Sequence, residues 1–241
     1  MAGSGFPTTR RSAVLAVRSA EPAERDWALE TIVAAYWRPV YKYLRLKWKE
    51  REEDARDLTQ GFFVRAMEKG FFEGYDSSRA RFRTYLRTCL DGFVQNERKF
   101  AARQKRSPGE PLLSLDFESA DGELRRHDVP DSLGLEEYFR REWVRSLFAG
   151  AVERLRSELD SRGKAAAFGL FETYDLEEGR TTRSYADIAG ELSMSVTQVT
   201  NTLALARREF RRILLEDLRA VTGSEEEFQE EARSLLGKAS R

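Results

Sequence analysis

The clearest hydrophobic pattern in the chain lies in the segment 184–212. Its first half carries apolar residues at the spacing i, i+3, i+4 and i+7, which predicts the buried face of a helix: Tyr185, Ile188, Ala189 and Leu192. After a break of four residues, Ser195 with Gln198 predicts the capping box that begins a second helix. That helix has its own apolar face: Val196, Val199, Leu203, Ala206 and Phe210. The pair indicates a helix-turn-helix, whose second helix enters the DNA major groove. An ordinary helical hairpin is the alternative.

Helical spacing also runs through the N-terminal half of the chain. One apolar face extends over 29–48, with a bend or break expected at Pro39. A second face follows over 55–67, and glycines at 70 and 74 end that helix. The outer side of this second helix displays three polar side chains: Asp54, Asp57 and Gln60.

The remaining segments carry helical patterns as well. Apolar positions predict helices over 135–159 and 165–176, and the scarcity of alternating β-branched runs argues against strands. The expected fold is therefore all-α, with two helical modules, the second of which ends in the helix-turn-helix. A flexible lead at 1–24 and a charged tail at 223–241, expected as a loosely attached helix, complete the expected organisation.

The helix predicted over 82–94 differs from the others in charge. Its buried face combines aromatic and smaller apolar residues: Phe82, Tyr85, Leu86, Cys89, Leu90, Phe93 and Val94. The surrounding segment 79–106 holds nine basic and two acidic residues, an excess of seven positive charges. A basic face beside aromatic side chains suits a polyanion with stackable bases. A solvated face at a domain edge explains the same charge equally well.

The next segment, 107–138, has the opposite sign. Nine acidic residues stand against two arginines, and prolines, glycines and serines are scattered through it. Such a composition predicts an extended acidic linker over 107–134 rather than a regular element. The chain is therefore expected to divide into a first module at 25–106 and a second at 135–222.

Composition narrows the possible functions. The 41 basic and 41 acidic residues cancel, so only the local distribution of charge points to nucleic acid. The single cysteine, Cys89, precludes an internal disulfide framework and favours the reducing cytoplasm. The single histidine, His127, disfavours a His-based metal site or catalytic dyad.

Two further classes of protein are disfavoured. No apolar run approaches the ~18–20 residues that span a bilayer, and a signal peptide is missing, so no membrane association is expected. A carboxylate pair, a nucleophile–base set and a phosphate-binding glycine loop are also missing. The chain is therefore not expected to be an enzyme or to need a cofactor.

The order of these features resembles the small extracytoplasmic-function (ECF) sigma factors of RNA polymerase, members of the sigma-70 family. The family's opening helices resemble AYWRPVYKYLR (35–45), and its core-polymerase-binding helix resembles DARDLTQGFFVRAM (54–67). Its promoter-melting helices are similar to FRTYL (82–86) and NERK (96–99). Its reader of the upstream promoter element resembles SYADIAGELSMSVTQVTNTLALARREF (184–210). The resemblance covers most of the chain.

The resemblance implies three binding surfaces. Acceptors on the core-binding helix would contact basic residues of the polymerase: Asp54, Asp57 and Gln60. The melted promoter strand would be held by stacking, hydrogen bonds and phosphate contacts from Phe82, Tyr85, Asn96, Arg98, Lys99 and Arg103. Major-groove base edges would be contacted by Thr197, Gln198, Thr200 and Asn201, and phosphates by Arg207 and Arg208. The acidic linker would thread into the polymerase, with a simple tether as the alternative.

The chain departs from the family pattern in three helices. Arg56 and Gly61 stand where the core-binding helix usually has Glu, and Gly92 replaces a usual Asn of the melting helix. The recognition helix has uncharged residues where relatives often have basic residues or His: Thr200, Asn201, Thr202 and Ala204. The promoter half-site read by this helix is therefore expected to differ from the common one.

Thr59 is predicted as a regulatory phosphosite. Because the core-binding helix is short of negative charge, a phosphate carrying about −1.5 to −2 charges could replace the missing carboxylates. Periodicity places Thr59 at the margin of the apolar stripe, where partial exposure is expected. The alternative is a buried small residue whose phosphorylation would disrupt helix packing.

The expected function is that of a sigma factor, which binds core RNA polymerase, recognises promoter DNA and helps to melt it. Its partners would be core polymerase and promoter DNA in duplex and single-stranded form. Control by a Ser/Thr kinase and control by an anti-sigma factor both stay open. The alternatives are a stand-alone helix-turn-helix regulator acting without polymerase, and a non-DNA helical scaffold. The scaffold leaves the basic segment 79–106 unexplained.

Overall fold

The computed structural model describes residues 12–101, 115–126, 134–176 and 184–237. Within these ranges all regular elements are helical, so the all-α prediction is confirmed. The α-helices follow in chain order: α1 Ala13–Ala16, α2 Pro22–Lys47, α3 Glu52–Lys69, α4 Phe82–Ala101, α5 Phe117–Arg126, α6 Leu135–Ser161, α7 Ala165–Phe171, α8 Tyr185–Glu191, α9 Val196–Ala220 and α10 Glu225–Leu236. A 3₁₀ turn, Phe71–Gly74, follows α3, and a π-helical turn, Glu172–Leu176, follows α7.

The described residues form two compact units. The first unit comprises Met1–Ser146 with Leu218–Arg241, and the second comprises Leu147–Asp217. The division therefore falls within α6 and α9, and it differs from the module boundaries expected near 106 and 135. The C-terminal segment, expected as a loosely attached helix, contains α10, and this helix belongs to the first unit.

Helix α2 forms the centre of the first unit. Its buried face consists of apolar and aromatic residues at helical spacing: Ala28, Ile32, Ala35, Tyr36, Val40, Tyr41 and Leu44. Helix α2 continues through Pro39, so a break at this residue is wrong, and a bend there stays a prediction. Proline removes one backbone hydrogen bond at a cost of about 3 kcal/mol, and the buried residues on both sides of Pro39 offset that loss.

Helix α3 packs on α2 and ends where the glycine pattern predicts. Four of its apolar side chains are buried: Ala55, Phe62, Phe63 and Ala66. Gly70 caps the helix with φ 61°, a left-handed conformation that glycine adopts without steric cost. The following 3₁₀ turn places Phe72 in the core, where its ring lies 5.5 Å from that of Phe82.

The predicted linker at 107–134 is wrong for residues Phe117–Arg126, which form α5 and pack on α2. The Phe117 ring lies edge-on to Trp37, with centroids 5.5 Å apart. Asp121 accepts a hydrogen bond from Tyr41 Oη at 3.0 Å and pairs with Arg45 Nη1 at 3.0 Å. The acidic composition therefore serves a docked helix, because its charges meet basic residues about 80 positions earlier in the chain.

The second unit combines α7, α8, most of α9 and the later part of α6. Phe210 of α9 packs against Phe148 and Phe171, with ring centroids 5.7 Å and 5.1 Å apart. Arg154 of α6 pairs with Glu216 at 2.5 Å and Asp217 at 2.7 Å on α9. An aromatic cluster and half-exposed ion pairs thus hold α9 in place within this unit.

Candidate functional site

Two capping boxes define the ends of the short helix pair α8–α9. At the start of α8, Ser184 Oγ accepts the backbone N–H of Asp187 at 3.2 Å, and the Asp187 carboxylate accepts the N–H of Ser184 at 2.9 Å. At the start of α9, Gln198 Oε1 accepts the N–H of Ser195 at 2.7 Å, and Ser195 Oγ accepts the N–H of Gln198 at 3.2 Å. The capping box predicted for Ser195 and Gln198 is therefore confirmed.

The turn between α8 and α9 is short and well hydrogen-bonded. Ser193 has φ 53°, in the left-handed region, and the Met194 N–H donates to Ala189 O at 2.8 Å. Buried apolar residues of both helices lie at the predicted positions: Ile188, Ala189, Val199, Leu203 and Ala206. The prediction of burial is wrong for three others, which are exposed: Tyr185, Leu192 and Val196.

The N-terminal part of α9 exposes its polar side chains. All four residues assigned to base contacts are exposed: Thr197, Gln198, Thr200 and Asn201. The Thr200 hydroxyl donates to Val196 O at 2.9 Å, so it retains an acceptor for an outside partner. Asn201 presents an amide, a group that can donate to and accept from one base edge at the same time.

The arginines of α9 do not all behave as predicted. Arg207 donates through Nε and Nη2 to both carboxylate oxygens of Asp175, at 2.9–3.2 Å, so the proposed phosphate contact is replaced by an internal ion pair. Arg208, in contrast, keeps 72% of its side chain exposed. Arg211 is also exposed, and it was missed although it stands three residues after Arg208.

These exposed residues share one face of α9. The spacing i, i+4, i+7, i+11 and i+14 relates five exposed positions: Thr197, Asn201, Ala204, Arg208 and Arg211. We call this set the α9 stripe. It begins with short polar side chains, contains one small residue and ends with two guanidinium groups. That arrangement suits a double helix, in which base edges and phosphates lie side by side.

On α4 the structure contradicts the role assigned to Phe82. This residue is 0% exposed, and its ring lies 5.1–5.6 Å from those of Tyr36, Phe72 and Tyr75. Such a side chain belongs to the aromatic core of the first unit and cannot stack on a base. Periodicity had already placed Phe82 on the buried face of its helix, and that interpretation is confirmed.

Two other residues assigned to the melted strand are engaged within the first unit. Tyr85 is half-buried, and its hydroxyl donates to Phe71 O at 2.8 Å. Arg98 pairs with Glu50 at 2.5 Å, donates to Trp48 O at 2.8 Å and lies 4.7 Å from the centre of the Trp48 ring. Arg98 therefore meets a carboxylate and an aromatic face of its own unit, although 51% of its side chain stays exposed.

The end of α4 nevertheless presents an exposed patch. Asn96 and Lys99 are exposed as predicted, and Arg103 lies outside the described residues. Phe100, which sequence reasoning missed, is 57% exposed. Because Asn96, Lys99 and Phe100 follow the spacing i, i+3, i+4, they share one helix face, which we call the α4 patch. An amide, an ammonium group and an aromatic ring together suit a single strand.

Elsewhere the basic excess of α4 is matched by carboxylates of the same unit. Arg81 pairs with Glu230 at 2.5 Å and with Glu231 at 2.8 Å, and Arg83 also pairs with Glu231. Arg87 lies 3.4 Å from Glu136. Part of the positive charge counted along the sequence is therefore engaged in ion pairs within the unit, whereas Arg79 before the helix and the α4 patch at its end lie exposed.

The acceptors assigned to polymerase binding lie on one side of α3. Asp54 and Asp57 are exposed, and Gln60 is half-buried. Arg56, which stands where the family that the sequence resembles usually has Glu, pairs with Glu52 at 2.5 Å within the same helix. The charge of Arg56 is therefore balanced by Glu52. The exposed carboxylates of Asp54 and Asp57 give α3 an acidic surface.

The predicted exposure of Thr59 is wrong. Its side chain is 0% exposed, and its hydroxyl donates to Ala55 O at 2.7 Å. Thr59 lies on the face of α3 that carries Ala55, Phe62, Phe63 and Ala66, not at its margin. A kinase could reach the hydroxyl only if α3 left its place on α2, and phosphorylation of Thr59 stays a prediction under that condition.

Comparisons with protein-family models, with curated proteins and with solved structures found no match. In the part of the chain that the structure describes, no helix has both the length and the apolar character required to cross a membrane. Clusters of three or more His, Cys, Asp or Glu side chains placed to hold a metal ion do not occur among the same residues.

Proposed function

We propose that this chain is a transcription-initiation factor of the sigma type, which binds promoter DNA and core RNA polymerase. The observation that carries the proposal is the α9 stripe. Short polar side chains and two arginines occupy one exposed face of a helix that begins directly after a tight turn from α8. This is the arrangement by which a recognition helix enters the major groove.

The first unit would supply the contacts to polymerase and to melted DNA. Asp54 and Asp57 present carboxylates to solvent, as basic residues of a partner would require. The α4 patch supplies a stacking ring, an amide and a positive charge for an unpaired strand. In this proposal Phe100 takes the stacking role that Phe82 cannot have, and Lys99 contacts phosphate.

One observation favours a second candidate, a helix-turn-helix regulator that acts without polymerase. The α9 stripe is exposed throughout, whereas Phe82 and Tyr85 of the first unit are committed to the core and to an internal hydrogen bond. A regulator of this kind needs only the second unit for DNA binding. It requires neither the acidic surface of α3 nor the α4 patch.

Retention on core RNA polymerase, followed by promoter-dependent transcription, separates the two candidates. For a sigma factor we expect the chain to bind core polymerase and to direct specific initiation. We further expect Asp54→Lys combined with Asp57→Lys to abolish retention while duplex binding is kept. Glu153→Lys with Asp160→Lys is the matched control, because it makes the same charge change at exposed positions of α6. Duplex binding without any retention on polymerase would favour the regulator.

A further inference from the structure

Helix α10 buries an unusual set of side chains. Its buried residues are two carboxylates and one aromatic ring: Glu227, Phe228 and Glu231. A helix docked on a globular core normally buries a stripe of apolar residues. Polar and charged contacts therefore make an unusually large contribution to the docking of α10. The pair between Arg81 and Glu230 is exposed to solvent, so salt and other anions compete for this part of the docking contact.

The carboxylates of α10 converge on arginines of α4 and α6. Glu231 contacts Arg83, lies 2.8 Å from Arg81 and lies 3.8 Å from Arg140. Glu230 adds a second contact to Arg81 at 2.5 Å. Three guanidinium groups thus surround the buried carboxylate of Glu231, and Glu137 of α6 adds a further negative charge 3.6 Å from Arg140. Such a cluster is the kind of site that phosphate groups occupy in complexes with nucleic acids.

A further carboxylate of α10 lies at the start of α4. Glu227 accepts the backbone N–H of Phe82, the first residue of that helix, at 3.2 Å, and the N–H of Gly223 at 2.8 Å. Phe82 N–H is one of the donors that a helix leaves without an internal partner at its N-terminus. Since Glu227, Glu230 and Glu231 follow the spacing i, i+3, i+4, one face of α10 presents successive negative charges to one basic surface.

We propose that α10 is an acidic plug in a binding site for the phosphate backbone of single-stranded DNA. The site consists of Arg81, Arg83, Arg140 and the N-terminus of α4, and binding of the strand releases α10. While α10 is docked, Arg83 keeps only 10% of its side chain exposed, so a strand contacts this guanidinium group only after α10 has left. The inference rests on the proposed function, because the strand would come from the melted promoter.

The first test measures binding of the full chain to a fluorescein-labelled 20-nucleotide strand of mixed sequence by fluorescence anisotropy. Glu230→Gln combined with Glu231→Gln should raise the affinity for the strand about tenfold. The reason is that fewer molecules would keep α10 docked over the site, and docked molecules cannot bind. The slope of the logarithm of the binding constant against the logarithm of the salt concentration should become steeper by about 1.4. This is the change expected when the protein neutralises two more phosphates of a single strand. Glu53→Gln with Glu68→Gln, at exposed positions of α3, is the control with the same charge change. The affinity of this control variant for the strand should change less than about twofold, because salt screens exposed charges that lie away from the site.

A second measurement uses the unmodified chain and therefore does not depend on how the variants fold. Backbone amides of α10 should exchange hydrogen faster when the single strand is added, whereas those of α6 should not. Equal affinities of the α10 and α3 variants would overturn the plug, as would unchanged exchange in α10. An equal gain for duplex DNA would overturn the assignment to a single strand.

The proposed function and the acidic plug can be refuted independently of each other. Absence of both duplex binding and polymerase retention in the unmodified chain refutes the initiation factor. The difference between the two variants on the labelled strand depends on neither activity, so it still decides whether α10 covers a phosphate site.

Discussion

Sequence patterns assign both α4 and α9 to DNA contact, but the two helices have very different surroundings. On α4, Phe82 is buried, and Arg81 and Arg83 are paired with carboxylates of α10. On α9, Thr197, Asn201 and their neighbours in the stripe are exposed. The difference follows from chemistry: aromatic rings and guanidinium groups readily find partners inside a domain. Short polar side chains just after a capped turn have little to gain from burial.

Positive charge clustered along a sequence and a periodic face of polar residues differ in how well they predict an exposed binding surface. An excess of positive charge along one segment is weak evidence for a polyanion, because opposite charges far away in sequence can neutralise it. The acidic residues that do so stand about 150 positions later than Arg81, on α10. A periodic face of uncharged polar residues cannot be neutralised in this way, so it predicts exposure more securely.

The largest effect on the free energy of unfolding is expected when an aromatic residue of α4 that lies in the core is replaced, and a surface aromatic residue of the same helix serves as the control. Phe82→Ala should lower the free energy of unfolding by about 3–5 kcal/mol, because it empties a fully enclosed site. Phe100→Ala should change it by less than about 0.5 kcal/mol, because that ring is largely exposed. Urea unfolding followed by circular dichroism measures both. If Phe82→Ala were tolerated and lost only strand binding, its assignment to the core would have to be withdrawn.

Thr59 provides the next test of burial in the first unit. Thr59→Glu places an unpaired charge in a fully buried site and should lower the free energy of unfolding by roughly 3 kcal/mol or more. Thr59→Val keeps the shape and loses one hydrogen bond, so the expected loss is about 1 kcal/mol or less.

Thermal and urea unfolding of the two Thr59 variants give this difference directly. Equal stability of both variants would show that α3 opens easily. That result would strengthen Thr59 as a phosphosite, because a kinase could then reach its hydroxyl. A strongly destabilised Thr59→Glu variant would instead show that phosphorylation has to be coupled to displacement of α3.

The α9 stripe is tested through promoter preference. Asn201→Ala should relax discrimination at one upstream base position by about 1–3 kcal/mol, because a bidentate contact is lost. Arg208→Ala should weaken binding on all sequences and reduce the salt slope by about 0.9, as one phosphate contact is removed. Selection from a randomised duplex library distinguishes the two patterns. A uniform loss with Asn201→Ala would mean that this face of α9 does not meet base edges.

The smallest expected effect concerns pH and the docking of α5. Burial acts to raise the pKa of Glu123, but the hydrogen bond and charge of Lys42, with Arg38, hold that pKa below its usual range. A depressed folded-state pKa means that the stabilisation is complete above the unfolded pKa near 4.5 and is lost as the pH falls through the folded value. Because Glu123 is about a third exposed, we expect less than about 1 kcal/mol.

Acid titration of Glu123→Gln beside the unmodified chain checks this expectation. The Trp37 ring packs against Phe117 of α5, so its fluorescence should report undocking of that helix. In the unmodified chain the contact of α5 should weaken as the pH falls. The variant should show a weaker contact above about pH 5 and a flatter profile, and the two chains should converge at low pH, where Glu123 is protonated. Identical profiles would show that another group controls the docking.

Much of the molecule is determined by local sequence. Periodicity gave the apolar faces of α2, α3, α4 and α9, and the capping residues Ser195 and Gln198 located the start of α9 correctly. Gly70 marked the end of α3 because only a left-handed residue closes that helix there. These features depend on neighbours within a few positions, so a reading of the sequence reaches them. Three positions of the α9 stripe, Thr197, Asn201 and Arg208, were found in the same way, whereas Arg211 was missed.

Tertiary structure alone decided which polar residues remain available to a partner. The residues at 107–134 and 223–241 read as an acidic linker and a tail, yet α5 and α10 dock on the first unit. Their partners are basic side chains about 80 and 150 positions away. Pairing over such distances depends on the three-dimensional path of the chain, which composition does not encode. For the same reason Thr59 and Phe82 became core residues, whereas Phe100, on the same helix as Phe82, stayed in solvent.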